Sequence, residues 1–361
     1  MRLPAVFENA HLWAPGYLKD RYMARREPRN GCDVWLLIAD HYEPYWHGAG
    51  HHTALERVRR WRALWPQVAA RHTDNAGRSP RYTFFYPQED YHPDTISLLA
   101  EMAAAEIADV EVHIHHDGEG ARNFVDRMGR FTEVLYCRHG LLREHAGKLA
   151  FGFIHGNWAL DNARPDGRWC GLNNELSLLK ELGCYADFTL PAAPNVSQTA
   201  MVNTIYWATD DPGRPKSHNR GMPLVPGGGI AGDLLMVPGP LGINLRGGRR
   251  WRPRLETGEL ASYDLPVPGR AASWLNLAPR IGNHIFIKLF AHGAQDAHAE
   301  ALLKGGLDVC FEDLRAACDA RGHRLYFVSA WEMWRAIHAV RKGSDPLAAV
   351  QKHSIKKASL R

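Results

Sequence analysis

The chain is punctuated by short apolar runs, each of which stops at or near a histidine or an acid. Residues 34–39 (VWLLIA) end in Asp40-His41, residues 82–86 (YTFFY) in Pro87 with Glu89-Asp90 behind it, and residues 110–114 (VEVHI) in His115-His116-Asp117. Residues 150–154 run into His155, residues 185–190 carry Asp187, residues 285–290 lead to Ala291-His292, and residues 325–328 close the series. Runs this short suit strands buried on both faces, the condition of a parallel sheet. Between them the apolar spacing turns helical. Thr53 is placed to cap a helix carrying Leu55, Val58, Trp61, Leu64 and Trp65, and Pro93-Asp94 opens one carrying Ile96, Leu99 and Met102. Further helices are expected over 121–145, from Asn173 or Asn174 to Gly183, after Gly293 to about 320, and over 330–340. Strand–helix alternation with right-handed crossovers gives a parallel α/β sheet. About seven such units with polar strand ends favour a (β/α) barrel over an open sheet.

The rhythm breaks between residues 191 and 282, which are rich in Gly and Pro, with short strands expected at 205–208 and 234–237. This stretch is read as an insertion in a single barrel domain spanning 33–342, preceded by an irregular segment at 1–32 and followed by a polar tail at 343–361. With 361 residues, 45% of them hydrophobic and 23% charged, the chain has the composition of an ordinary globular protein with a large core. The net charge of +5 is spread over scattered arginines, and the densest basic stretches, 246–252 and the C-terminus, are too short to argue nucleic-acid binding. The six cysteines include no CxxC pair, so a reduced compartment is expected rather than a disulfide framework. Residues 1–8 lack a secretory leader and no apolar run approaches the ~20 residues of a membrane span, so the expected location is cytoplasmic, with no transmembrane segment.

Twenty histidines are the unusual count. Alternation along a strand points His113 and His115 to the same side, where two imidazoles make a ready pair of metal ligands. In a barrel the C-terminal strand ends share one mouth, which would bring Asp40-His41, Glu89-Asp90, His155-Gly156-Asn157-Trp158, Asp187 and His292 onto the same rim. Taken singly, each has a plainer account: Asp40 as a turn residue, Glu89 and Asp90 as a solvated loop, His292 packed beside Gly293, Asp187 as a cap. Taken together they supply what a mononuclear metal hydrolase needs: three protein ligands, an open position for water, a base and an acid.

The order of these motifs resembles the polysaccharide deacetylase superfamily, metal-dependent carbohydrate esterases on a distorted (β/α) barrel. Ile38-Ala39-Asp40-His41 stands where that family has a paired-Asp motif, and Tyr82-Thr83-Phe84-Phe85 is similar to its Ala-Thr-Phe-Phe strand. Glu111-Val112-His113-Ile114-His115 takes the place of the strand that delivers the metal histidines. Residues 287–292 (IKLFAH) resemble the late Leu-x-Leu-x-His motif, and residues 326–332 the closing βα unit. The resemblance implies Asp40 as general base, His292 as general acid, and His41, His113 and His115 as ligands of one divalent metal, zinc being expected. His116, Asp117 and Glu89 are the substitutes. His155, Asn157 and Trp158 would line a sugar site, and Asp187 would orient a catalytic histidine. The chain departs from the family in carrying His41 for the second Asp, an H-x-H spacing instead of i, i+4, and no Arg-x-Pro-Tyr motif on the fourth strand.

The expected function is therefore hydrolysis of an N-acetyl or related acyl group on an amino sugar or glycoconjugate precursor. Two alternatives stand beside it. One is a glycoside hydrolase pairing Asp40 with Glu89 or Asp187. The other is a catalytically silent carbohydrate-binding barrel, motivated by the missing arginine motif and His41.

Overall fold

The computed structural model describes residues 7–24, 31–246 and 252–351; most of the 246–252 basic stretch and residues 352–361 of the C-terminal tail lie outside them. Helix α1 (Ala10–Ala24) precedes an alternating series: β1 (Asp33–His41), α2 (His51–Ala69), β2 (Tyr82–Pro87), α3 (Pro93–Ala104), β3 (Ala108–Ile114) and α4 (Ala121–His139). A hairpin of β4 (Arg143–His145) and β5 (Lys148–His155) follows, then α5 (Glu175–Leu182) and β6 (Cys184–Asp187). The Gly/Pro-rich stretch supplies β7 (Tyr206–Ala208), β8 (Met222–Pro223), β9 (Leu234–Met236), β10 (Gly242–Arg246), β11 (Arg252–Glu256), β12 (Glu259–Leu260), α6 (Arg270–Leu277) and β13 (Arg280–Ile281). The chain closes with β14 (His284–Ala291), α7 (Asp296–Ala301), α8 (Leu307–Asp319), β15 (Arg324–Phe327), α9 (Ala330–Lys342) and α10 (Pro346–Gln351).

The result is an α/β fold with a largely parallel mixed sheet of 13 strands, running β12-β14-β1-β2-β3-β5-β6-β9-β7-β8 with β13, β15 and β4 alongside. This is the distorted (β/α) barrel architecture expected. Two distortions stand out. β1 is shared on one edge, its first half pairing with β15 (Asp33↔Arg324) and its second with β2 (His41↔Phe85). β9 and β14 are not paired, but the chain just after β9 lies close against β14: a Cβ on Gly239 would meet the Lys288 carbonyl oxygen at 2.5 Å.

Alternation divides each central strand between two cores. Val34, Leu36 and Ile38 of β1, with Val110, Val112 and Ile114 of β3, face the α2 side among Val58, Trp61 and Trp65. Trp35, Leu37 and Ala39 face inward with Phe85, Ile154, Phe188 and Phe286. Helix α9 joins this inner core through Trp331 and Trp334, which pack on Tyr185 near the start of β6, and Ala330 N–H donates to Thr83 Oγ1 near the start of β2. The N-terminal end of the barrel is thus covered from within, and the C-terminal strand ends are left to form the mouth. Glu111 belongs to this covered interior, accepting from Tyr185 Oη (2.6 Å), Arg143 and Gly152 N–H.

Several local expectations are corrected. The segment before β1 is not wholly irregular, since α1 occupies Ala10–Ala24, and the tail contains a helix, α10. Helix α2 starts at His51 with Gly50 as its cap residue, ahead of Thr53. Helix α4 stops at Gly140, whose φ of 63° ends it in the left-handed region, and the β4–β5 hairpin takes the residues that helical spacing alone would have continued through. The inserted stretch shares the main sheet, through β9 on β6 and β12 and β13 on β14.

Candidate metal centre at the barrel mouth

The inward face of β1 leads from Ala39 to His41 and, two residues on, to Glu43. The inward face of β3 leads through His113 to His115 past the strand end, and β14 delivers His292. These side chains meet. His113 Nε2 lies 3.4 Å and His115 Nε2 3.6 Å from Glu43 Oε1. Across Glu43, the His41 and His292 rings stand 4.9 Å apart by centroid, and His41 is 5.4 Å from His113. Glu43 with His113 and His115, and Glu43 with His41 and His292, each bring their ligand atoms within 4.8 Å of one another, so either trio could hold a metal ion.

The tautomers suit that role. His113 Nδ1 donates to the Ile154 carbonyl at 2.8 Å, which leaves the lone pair on Nε2, a buried nitrogen without a hydrogen-bond partner. His41 Nε2 is likewise buried and unpartnered. His115 Nδ1 is engaged by Glu89 Oε1, so its Nε2 also turns toward Glu43. A histidine whose outer nitrogen is fixed by a carboxylate or a backbone carbonyl is the usual arrangement behind a metal ligand. The residues present fit a divalent cation.

The charges agree. Burial pushes the Glu89 carboxyl up, but its bond to His115 outweighs that and holds it below the ordinary range. Burial, reinforced by His292 and His113, drives His41 well down, so it is neutral. Burial also takes His292 down to about 4, against the pull of Glu43. For His115 burial acts downward but the Glu89 bond prevails and raises it.

Three sequence-derived candidates, Asp40, His155 and Asp187, fall elsewhere. Asp40 is on the outer face of β1, away from the mouth. Its carboxylate accepts from Tyr82 Oη (2.6 Å) and Gly293 N–H (2.8 and 3.0 Å), under Trp61, and burial pushes it up to about 7. That geometry does not place it as a base toward the histidines, nor as a carboxylate facing Glu89. His155 also points outward, behind the wall, where its Nε2 lies 2.9 Å from His116 Nε2 and 3.4 Å from Glu175 Oε1. Asp187 is buried at the end of β6 and bonded to Thr189 Oγ1 at 2.7 Å; burial pushes it up to about 7. Its partner is not a histidine. Asn157 and Trp158 lie in a tight turn with φ of 54° at both, and Trp158 reaches the mouth with its ring 6.2 Å from His41 and 6.3 Å from His292.

Glu43 was not among the expected ligands, although period-two counting from His41 reaches it directly. Outside the mouth opens a cavity of about 780 Å³ that shares Trp158 and Phe290 with it and is further lined by Arg164, Pro191, Tyr263 and Asp264. Behind the wall, His116, His155, Cys170 and Glu175 form a second, fully buried group that could hold a metal ion.

No protein family model matches the chain. Comparison with curated proteins returns no match either. Among solved structures, the GH99 endo-alpha-mannosidase from Bacteriodes thetaiotaomicron in complex with BIS-TRIS-Propane is distantly similar. The similarity covers 44% of this chain and 59% of that one, at 17% identity and a TM-score of 0.25. So loose an overlap says nothing of activity. Among the described residues no helix is long and apolar enough to cross a membrane.

Proposed function

We propose that the barrel mouth is the active site of a metal-dependent hydrolase that removes an N-acetyl or related acyl group from an amino sugar or glycoconjugate, the chemistry of the polysaccharide deacetylases that the sequence resembles. The observation that carries the reading is the buried, unpartnered Nε2 of His113, fixed by its Nδ1 bond to Ile154 and aimed at Glu43. Glu43, His113 and His115 would hold the cation, with His41 facing them as a further donor. A divalent cation bound there supplies Lewis acidity, polarising the acyl carbonyl and acidifying water.

The remaining roles belong to the chain. His292 is neutral near pH 7, because burial holds it down to about 4. It therefore enters the reaction as a base, taking a proton from the attacking water at an imidazole nitrogen, and returns that proton to the leaving amine. This reverses the order expected from sequence, which cast Asp40 as base. Trp158 and Phe290 offer apolar faces to a sugar ring, and Arg164 and Asp264 border the cavity with groups able to bond its hydroxyls.

Acetate release from N-acetylated amino sugars and their oligomers, followed before and after chelation, tests the reading. Release should stop on metal removal and return with zinc or cobalt. His292→Ala should lower the rate by roughly 10²–10⁴, the range for a lost acid–base group. Hydrolysis undiminished in metal-free protein contradicts the proposal.

A further inference from the structure

The group behind the barrel wall differs from the mouth in being closed. His116 and Glu175 are buried, His155 is fully so, and Cys170 has no exposed surface. Four elements converge on it: the chain just after β3 (His116), the end of β5 (His155), the loop ahead of α5 (Cys170) and the first residue of α5 (Glu175).

Its donor atoms already lie close to the edges of a coordination polyhedron. His116 Nε2 is 2.9 Å from His155 Nε2 and 3.1 Å from Glu175 Oε1, His155 Nε2 is 3.4 Å from the same oxygen, and the ligand atoms of all four residues, Cys170 Sγ included, lie within 4.8 Å of one another. Tetrahedral zinc with bonds of ~2.0 Å sets its nitrogen and oxygen ligands about 3.3 Å apart. The outer shell is in place as well. His155 Nδ1 donates to the Gly156 carbonyl at 2.6 Å, directing its lone pair inward, and His116 Nδ1 faces Glu119 Oε2 at 3.6 Å. Leu172 N–H points at Cys170 Sγ at 3.4 Å, and Asp161 N–H at Glu175 Oε2 at 2.7 Å, bonds that support a thiolate and a carboxylate.

We infer that His116, His155, Cys170 and Glu175 form a second, structural zinc site, independent of the mouth. Two neutral imidazoles, one thiolate and one carboxylate balance the charge of a divalent cation, which a site sealed from water requires. The thiolate selects zinc over magnesium or calcium, and the absence of an open position assigns the site to structure and not to catalysis. On binding, the Cys170 thiol proton and the proton between His116 and Glu175 leave to solvent. The site would pin the loop between β5 and α5, which carries left-handed residues at Asn157, Trp158, Asp161, Asn162 and Trp169 and presents Trp158 to the mouth.

Cobalt substitution of the intact chain tests this, because the mouth contains no cysteine and Cys170 is the one cysteine in any candidate metal group among the described residues. Two cobalt ions per chain are expected, with a near-ultraviolet thiolate-to-cobalt band. Cys170→Ser should abolish the band and remove one equivalent, and His113→Ala should remove one equivalent and keep the band. Absence of the band in the wild type, or its persistence in Cys170→Ser, overturns the site and leaves His116 and Glu175 as an ordinary ion pair. Should Cys170→Ser fail to fold, Glu175→Gln carries the test: cobalt affinity read from the same band should fall about 10-fold or more, and an unchanged affinity overturns it.

Discussion

Asp40 and His41 are neighbours in the chain whose side chains stand on opposite sides of the barrel wall. His41 turns into the mouth beside His292, at 4.9 Å between rings, while Asp40 turns outward to Tyr82 and Gly293. Asp40→Asn therefore tests stability and not catalysis. Placing an amide donor against one of these two donors should cost ~1–3 kcal/mol. Chemical denaturation should register that loss while metal stoichiometry stays at the wild-type value; loss of metal with unchanged stability would reassign Asp40 to the mouth.

Glu89 reaches the centre only through His115, whose backbone N–H and Nδ1 it engages. Removing the charge with Glu89→Gln should weaken mouth-metal affinity by ~10–100-fold, the usual cost of an outer-shell partner. Competition with a chromophoric chelator measures it, and an affinity equal to wild type contradicts the positioning role.

Trp158, like Phe290, is an aromatic shared by the mouth and the neighbouring cavity. A stacked sugar ring would lose ~0.5–1.5 kcal/mol in Trp158→Ala, or roughly a 2- to 12-fold weaker dissociation constant. Calorimetric titration with an amino-sugar oligomer reads this directly. Equal affinity in the two proteins would remove Trp158 from the binding surface.

His338 offers a pH test remote from both metal centres. Its ring packs on Trp334 at 4.4 Å, its Nε2 is buried without a partner, and burial, with Arg341 and Lys342 nearby, takes it down to about 3. Between pH 6.5 and 3 the unfolded chain then holds more protons at this residue than the folded one, so its contribution is intact above pH 6.5 and declines as pH falls. The urea midpoint should drop less between pH 7.5 and 5 in His338→Gln than in the wild type. An identical drop would show that His338 is not buried neutral.

Much of this architecture was legible because strand burial leaves a direct trace in sequence. The apolar runs at 34–39, 110–114 and 285–290 became β1, β3 and β14, and the H-x-H pair lies on one face as period two requires. The same rule separates Asp40 from His41 and leads from His41 to Glu43. Motif resemblance points instead to Asp40, a residue that alternation turns outward. What stayed illegible depends on tertiary closure. The outer site joins His116, Cys170 and Glu175 across more than one loop, and no short spacing announces it. Similarly, α9 carries the spacing of an ordinary outer helix, yet Trp331 and Trp334 pack in the inner core.

Metal content tests most directly whether Glu43, His113 and His115 hold a metal ion. Elemental analysis of purified wild type, His113→Ala and Glu43→Gln, each checked for folding by circular dichroism, should show each variant one equivalent below the wild type. Folded variants that keep the full wild-type metal content would contradict the account.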